Sequence, residues 1–317
     1  MGRILIGTAG WADRTLVQCG RFYPRGTSTA EARLRHYASV FPLVEVDSTY
    51  YALPSEANAA RWAERTPPGF VFDVKAFSLL TGHPTRPDVL PRDLAAELSP
   101  ELRAKRNVYP EDLPAAFVDE VFARFRSALA PLAAAGKLGS ILLQFPPWLT
   151  AGQPSAAKIV RVARRLAPLD VSIELRHGSW LSPEYADRTR AFLERERLPF
   201  VCVDMPQGFD ESLPPLPIVT SPRRAVVRFH GRNRDTFSAK VESAAERFKW
   251  LYTDGELDEW TRRIDEIAER TEEVHVIMNN CFQDYAVRNA SDLVRLLAAN
   301  ATRPSEETAC RDEGDAT

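Results

Sequence analysis

Glu174, Arg176 and His177 fall within four residues, in the run Glu174-Leu175-Arg176-His177-Gly178-Ser179-Trp180, just where the apolar segment Val171-Ser172-Ile173 ends. A carboxylate, a guanidinium and an imidazole clustered at a strand end are hard to explain by packing. The ends of parallel strands are where α/β folds carry their chemistry. Imidazole moves protons near neutral pH, and a planar guanidinium grips carboxylate or phosphate through two parallel hydrogen bonds.

Other strand-like runs carry similar groups. Eight short apolar runs, several rich in β-branched residues, recur at Ile4–Ala9, Val44–Thr49, Phe70–Ala76, Ser140–Phe145, Val171–Arg176, Phe200–Met205, Ala225–Gly231 and Val274–Asn280. Side chains alternate across a strand. Glu45 and Asp47 therefore oppose Val44 and Val46, while Asp73 and Lys75 oppose Phe72 and Val74. Gln144 opposes Leu143 and Phe145, and Glu174 and Arg176 oppose Ile173 and Leu175. Asp204 opposes Val203, Arg228 and His230 oppose Val227 and Phe229, and Asn279 opposes Met278. Each polar set is predicted to face one common interior. Burying so many charges is costly unless they pair or meet solvent and ligand, so the expectation is a water-accessible polar pocket. On that view Glu174→Gln or Arg176→Ala leaves stability nearly unchanged. His275, early in its strand, reads as a satisfied core histidine, and Trp180, Trp250 and Trp260 as packing residues.

The elements that must position these groups alternate. Amphipathic, helix-like stretches occupy Ala30–Val40, Glu56–Arg65, Ala115–Ala134, Ala156–Leu166, Pro183–Glu196 and Leu257–Glu269, with Leu293–Ala299 after the last strand. Strand–helix alternation implies right-handed crossovers and a parallel sheet. Eight units predict a single closed TIM-type (β/α)8 barrel rather than an open doubly wound sheet, and no G-x-G-x-x-G follows the first strand. The predicted barrel covers residues 1–302. It carries a Pro-rich insertion after strand 3, at about 81–114, and an irregular connection between strands 6 and 7 at Pro206–Arg224. Residues 303–317 are predicted to be a disordered tail.

The chain has 317 residues, 44 % of them hydrophobic and 26 % charged, with a net charge of −2. That balance argues against nucleic acid or an anionic membrane as the main partner. Four scattered cysteines without a C-x-x-C pair, no signal-like leader and no membrane-length apolar stretch point to a soluble cytoplasmic protein.

The same residues carry a family resemblance. The segments are Ile6-Gly7-Thr8-Ala9-Gly10-Trp11 with Phe22-Tyr23-Pro24, Val44-Glu45-Val46-Asp47-Ser48-Thr49-Tyr50-Tyr51, Leu53-Pro54-Ser55, Trp62, Thr66-Pro67-Pro68-Gly69-Phe70 and Lys75. Leu143-Gln144-Phe145-Pro146-Pro147, Glu174 to Trp180, Arg228-Phe229-His230-Gly231-Arg232-Asn233, Asn279-Asn280 and Asn289-Ala290 follow in order. The chain resembles the YecE-like family, domain of unknown function 72, which implies a TIM-type barrel and brings no established reaction. Ala9 stands where the family more often has Ser, and Asp47 where it often has Asn, which adds a negative charge.

Three functions fit these residues. The first is an enzyme of hydrolase, lyase or isomerase type acting on a small anionic or polyhydroxylated substrate without a cofactor. Glu174, His230, Asp204 and Lys75 would then be catalytic. Arg176, Arg228, His177, Gln144, Asn279, Glu45 and Trp11 would bind substrate. The second is a divalent-metal enzyme, sugar-isomerase-like or endonuclease-like, using Glu45, Glu174, Asp204 and His230 as ligands. No H-x-H or H-E-x-x-H pair supports it, and the guanidiniums compete for the same carboxylates. The third is a phosphate- or nucleic-acid-binding module built on Arg223, Arg224, Arg228, Arg232 and Arg234. The 81–114 insertion fits either a lid over the pocket or an interface.

Overall fold

The structure is a computed structural model, and it describes residues 1–237, 239 and 244–301. The predicted tail at 303–317 lies outside the described residues. Eight strands form one parallel sheet: β1 Arg3–Ala9, β2 Leu43–Val46, β3 Val71–Lys75, β4 Leu138–Gln144, β5 Val171–Glu174, β6 Val201–Asp204, β7 Arg224–Phe229 and β8 Glu273–Met278. Their order, β5-β4-β3-β2-β1-β8-β7-β6, is that of a barrel opened at one seam. The seam is bridged by the Ile173–Phe200 pair, with the Ile173 amide donating to the Pro199 carbonyl at 2.8 Å. The protein is a TIM-type barrel.

Two apolar cores result. The outward faces of the strands, with Val44, Phe72, Val74, Ile173 and Phe229 among them, pack under the helices. The helix Ala115–Ala128 buries Phe117, Val121, Phe122 and Phe125, and Gln153–Leu166 buries Ile159, Val162 and Leu166. These are the 3.6-residue stripes of amphipathic helices. Inside the barrel, Leu5, Ala9, Leu43 and Ile277 make a separate small core. Charged groups lie on both sides of it along the barrel axis.

Below it, toward the strand starts, His275 is sandwiched between carboxylates. Its Nδ1 meets both Asp73 oxygens at 3.0 and 2.8 Å, and its Nε2 meets Glu273 Oε2 at 2.9 Å. Arg224 holds Glu273 from the other side at 3.0 Å. Gly139 makes room for this group, since a Cβ there would sit 2.4 Å from an Asp73 oxygen and 3.0 Å from the His275 ring. His275 is thus a satisfied core histidine, held between two carboxylates.

Several boundaries differ from the sequence expectations for identifiable reasons. The second strand stops at Val46, and Asp47–Tyr50 forms a single 3-10 turn that takes Asp47 and Thr49 out of the alternation. The expected helix Ala115–Ala134 breaks into Ala115–Ala128 and Ala130–Ala134 beside Pro131, whose ring cannot continue the ladder. The last helix starts at Tyr285, eight residues earlier than expected. Its first turns hide a buried polar residue: Asn289 bonds the Tyr252 amide and carbonyl at 3.0 and 2.9 Å. The 81–114 insertion folds into short turns and helices, including Arg92–Glu97 and Pro100–Ala104, that bury Leu90, Leu94 and Leu98. The connection 206–223 contains no helix.

Candidate active site at the C-terminal mouth

Sheet register decides which side chains meet. Across β2 and β3, Glu45 stands beside Asp73, so Lys75 is one inward position above Glu45. Gln144 stands beside Glu174. Arg228 stands beside Ile277, which puts it on the interior face with Asn279 just above. The result is one connected chain of polar groups. Arg228 Nη2 donates to Glu45 Oε1 at 2.7 Å, and its Nη1 donates to Glu174 Oε2. The other Glu174 oxygen takes the His230 Nε2 at 3.1 Å and Arg176 Nη1 at 3.2 Å. Asn279 Nδ2 donates to His230 Nδ1 at 2.8 Å. Both imidazole nitrogens are therefore engaged, and the tautomer that donates to Glu174 is fixed from the other side by Asn279.

The innermost members are dry. Glu174 and Arg228 have no exposed side-chain surface, and Glu45 and His230 almost none. The expected open pocket is thus a layered one, with a sealed ionic floor. At the rim, Lys75 and Arg176 each keep 13 % of their side-chain surface in solvent. Lys75 Nζ lies 2.8 Å from Asp47 Oδ1 and 4.6 Å from the centre of the Tyr50 ring. The negative charge of Asp47 is therefore paired with the rim lysine.

The two carboxyls that share Arg228 are displaced in opposite directions. Burial pushes Glu45 up to about 7, more than Arg228 and Lys75 pull it back. Burial acts upward on Glu174 too, but Arg228, His230 and Arg176 together hold it well below the usual carboxylate range. Burial depresses His230 to about 4 against the attraction of Glu174, so it is neutral at pH 7. Such divergence between neighbouring carboxyls is the pattern by which active sites assign acid and base roles.

Asp204 does not join this chain. It pairs in register with Phe229, not Arg228, so its carboxylate turns outward. There it accepts from Trp260 Nε1 at 2.7 Å, Tyr252 Oη at 2.7 Å and Arg232 Nη2 at 2.8 Å. His177 stands at the rim but caps the following turn, its Nδ1 3.1 Å from the Ser179 amide and 2.8 Å from its hydroxyl. Gln144 lies half-buried beside Glu174. Trp11 packs edge-on against Trp62 and Phe72 and also lines a cavity of about 280 Å³ with Ala9, Asp13, Asp47 and Tyr51 at the same mouth. A larger cavity, about 600 Å³, lies at the opposite end of β5 and β7. Its charges are largely paired with one another, as in Arg164–Glu196 and Arg223–Asp170.

The arginines of the expected phosphate-backbone patch are dispersed. Arg223 and Arg224 pair with Asp170 and Glu273 at the strand starts, Arg228 is inside the barrel, and Arg232 pairs with Asp204 and Glu259. Nor do the expected metal ligands converge. Among the described residues no three His, Cys, Asp or Glu side chains are grouped to hold a metal ion, and Arg228 occupies the space between Glu45 and Glu174.

Sequence reasoning missed three groups at this mouth. His83, from the insertion, is depressed to about 4 by burial and by the charges of Lys75 and Arg176. Its ring lies 5.3 Å from Tyr50 and 6.0 Å from Trp148. The signal for Tyr50 was its place in the Asp47–Tyr51 motif, and for Trp148 its position just past a strand end. His83 had none beyond its flanking Gly82 and Pro84.

Fold and site together define a TIM-type barrel with an ionic floor under a cationic, aromatic mouth. The chain belongs to the family described as protein of unknown function DUF72, whose model matches residues 5–312. It is 28 % identical over 298 residues to the UPF0759 protein YunF of Bacillus subtilis, covering 93 % of this chain and 94 % of that protein. It is similar to the crystal structure of a DUF72 family protein from Thermotoga maritima, with a TM-score of 0.72, 27 % identity and coverage of 93 % and 99 %. A DUF72 family protein from Enterococcus faecalis gives a TM-score of 0.74 at 25 % identity, covering 93 % of this chain and 95 % of that one.

Proposed function

We propose that this protein is an enzyme that binds a small anionic substrate at the C-terminal mouth of the barrel and transfers a proton there. The observation that carries the reading is the continuous buried chain Glu45–Arg228–Glu174–His230–Asn279, which lies directly beneath Lys75 and Arg176. An apolar interior would be simpler if stability were its only purpose, since buried ion networks contribute little net stability. Lys75 and Arg176 supply the anion grip, and the Gln144 and Asn279 amides orient hydroxyls or a developing oxyanion. Glu45, held near neutrality one layer below Lys75, is the group suited to give and take a proton. Glu174 stays charged and His230 is saturated with partners, so both act as positioning residues. Lys75, held by Asp47, is better suited to electrostatic anchoring than to Schiff-base chemistry.

The test is a thermal-shift screen of phosphorylated and carboxylated small molecules, followed by product detection on each compound that binds. Binding is expected in the wild type and absent in the Lys75→Ala/Arg176→Ala double variant. Turnover of a bound compound is expected to be lost in Glu45→Gln with binding kept. Compounds that bind equally well to the double variant would place the ligand elsewhere and overturn the reading.

A further inference from the structure

The mouth is walled by a run of rings that the acid–base reading leaves unused. Tyr51 meets Tyr50 edge-on at 5.1 Å, Tyr50 meets His83 at 5.3 Å, and His83 meets Trp148 at 6.0 Å. The run spans from the loop after β2 to the loop after β4, with the 81–114 insertion contributing its middle member. Both ends are open to solvent: Tyr51 is 56 % exposed and Trp148 57 %. Only one other aromatic among the described residues, Tyr109, is comparably exposed among the large hydrophobics. Two such rings on one rim, astride the cations Lys75 and Arg176, are not explained by packing. Exposed aromatic surface at a concave site is a recognition element.

The chemistry around the rings narrows what they could hold. Tyr50 already has its face covered by Lys75, so the available faces are those of the two outer rings. His83 is neutral at pH 7 and spends Nδ1 on the Thr81 hydroxyl at 2.9 Å. Its Nε2 has no hydrogen-bond partner among the described residues. Neutral imidazole and the Gln144 and Asn279 amides suit hydroxyl groups, because each can donate to or accept from an alcohol. A ring with one apolar C–H face stacks on indole while its hydroxyls meet these groups, and its charge meets Lys75 and Arg176.

We infer that the substrate is an anionic carbohydrate, a phosphorylated or carboxylated pyranose, whose ring stacks on Trp148 with its hydroxyls toward His83 and its charge on Lys75 and Arg176. This rests on the anion-binding reading of the same mouth and adds the class of molecule that carries the anion.

The experiment measures affinity by titration calorimetry for hexose 6-phosphates and uronates tested singly, for inorganic phosphate, and for adenosine monophosphate. Wild type, Trp148→Ala, His83→Ala and the Lys75→Ala/Arg176→Ala double variant are compared, each checked for an unchanged folded spectrum. At least one sugar acid is expected to bind about tenfold or more tightly than inorganic phosphate. Trp148→Ala should erase that margin while leaving the phosphate affinity unchanged, and His83→Ala should reduce it severalfold. Phosphate binding lost in the double variant, but with no sugar acid preferred, overturns this inference and leaves the anion site standing. A preference for adenosine monophosphate that depends on Trp148 overturns the carbohydrate assignment in favour of a flat base. No binding of any probe to the wild type overturns both readings together. The ring preference persisting in Trp148→Ala removes the aromatic wall from the site.

Discussion

Arg228 donates to Glu45 at 2.7 Å with both side chains withdrawn from solvent, and its second arm reaches Glu174. One guanidinium therefore neutralises the floor of the whole mouth. Charges so deeply buried are stable only while their partners are present, because removing one partner of a buried pair strands the other and costs about 3–5 kcal/mol. Arg228→Met should therefore destabilise the protein by that order. Glu174→Gln should also be costly, since it removes the charge that faces both Arg228 and Arg176; this replaces the near-neutral outcome expected from the sequence. Glu45→Gln should be mild below pH 7, where Glu45 is largely protonated. Chemical denaturation at pH 6 ranks the three variants, and Glu45→Gln emerging as the most damaging would refute the assignment of charges.

Asp204 predicts the opposite separation of stability from function. It serves as the common acceptor for Trp260, Tyr252 and Arg232 on the outer side of the barrel. Asp204→Ala leaves three donors short of an acceptor, two of them buried, which costs about 3 kcal/mol or more. Thermal unfolding should fall by several degrees while anion affinity at the mouth stays within twofold of wild type. A selective loss of anion affinity without a loss of stability would return Asp204 to the site.

The different fates of Asp204 and Glu174 explain what the sequence could and could not disclose. The eight strands were legible because each is a compact apolar run, and the helices between them carry clear stripes. The inward orientation of Glu45, Glu174 and Arg228 was legible because the positions flanking each are apolar, so the polar parity must face the interior. Around Asp204, the run Val201-Cys202-Val203 is apolar on both faces. Parity there is mute, and only the hydrogen-bond register with β7 selects Val203 for the interior. His83 was invisible for another reason. It sits in an insertion with no periodicity, and its proximity to Lys75 and Arg176 is purely tertiary.

The cluster at the strand starts predicts a pH signature. Burial works against the charge on His275, but Asp73 and Glu273 raise its pKa above the ordinary value. The folded state therefore binds the proton more tightly than the unfolded chain. That stabilisation is complete below about pH 6.5 and is lost as pH rises through the raised value. Glu273, held down to about 2 chiefly by His275 and despite its burial, contributes in the other direction: its share is present above about 4.5 and fades as the pH falls toward 2. Glu45 and His230 also titrate across this range, so the informative quantity is a difference. The stability of wild type minus that of His275→Gln, from urea unfolding, should be largest between pH 4.5 and 6.5 and decline above, at up to about 1.4 kcal/mol per pH unit. A difference that is flat or grows from pH 6.5 to 9 would show that the imidazole is not held in its charged form.

Asp47 gives the sharpest test of the rim, because its carboxylate lies 2.8 Å from the amine that is proposed to hold the substrate anion. An incoming anion must share Lys75 with Asp47 or displace it. At an effective dielectric constant of about 20, a charge a few ångströms away is worth some kilocalories per mole, reduced where solvent reaches the pair. Asp47→Asn keeps the shape and the amide can remain beside Lys75, but the competing charge is gone. Sulfate is a suitable probe, since it does not change charge near neutral pH. The variant should bind sulfate about tenfold more tightly than wild type, a gain of about 1.4 kcal/mol. Adding Lys75→Ala should cancel that gain, because the two groups act through each other. If Asp47→Asn leaves sulfate affinity unchanged, or the gain survives removal of Lys75, then the anion is not held at this ammonium group and the mouth must grip it through Arg176 alone.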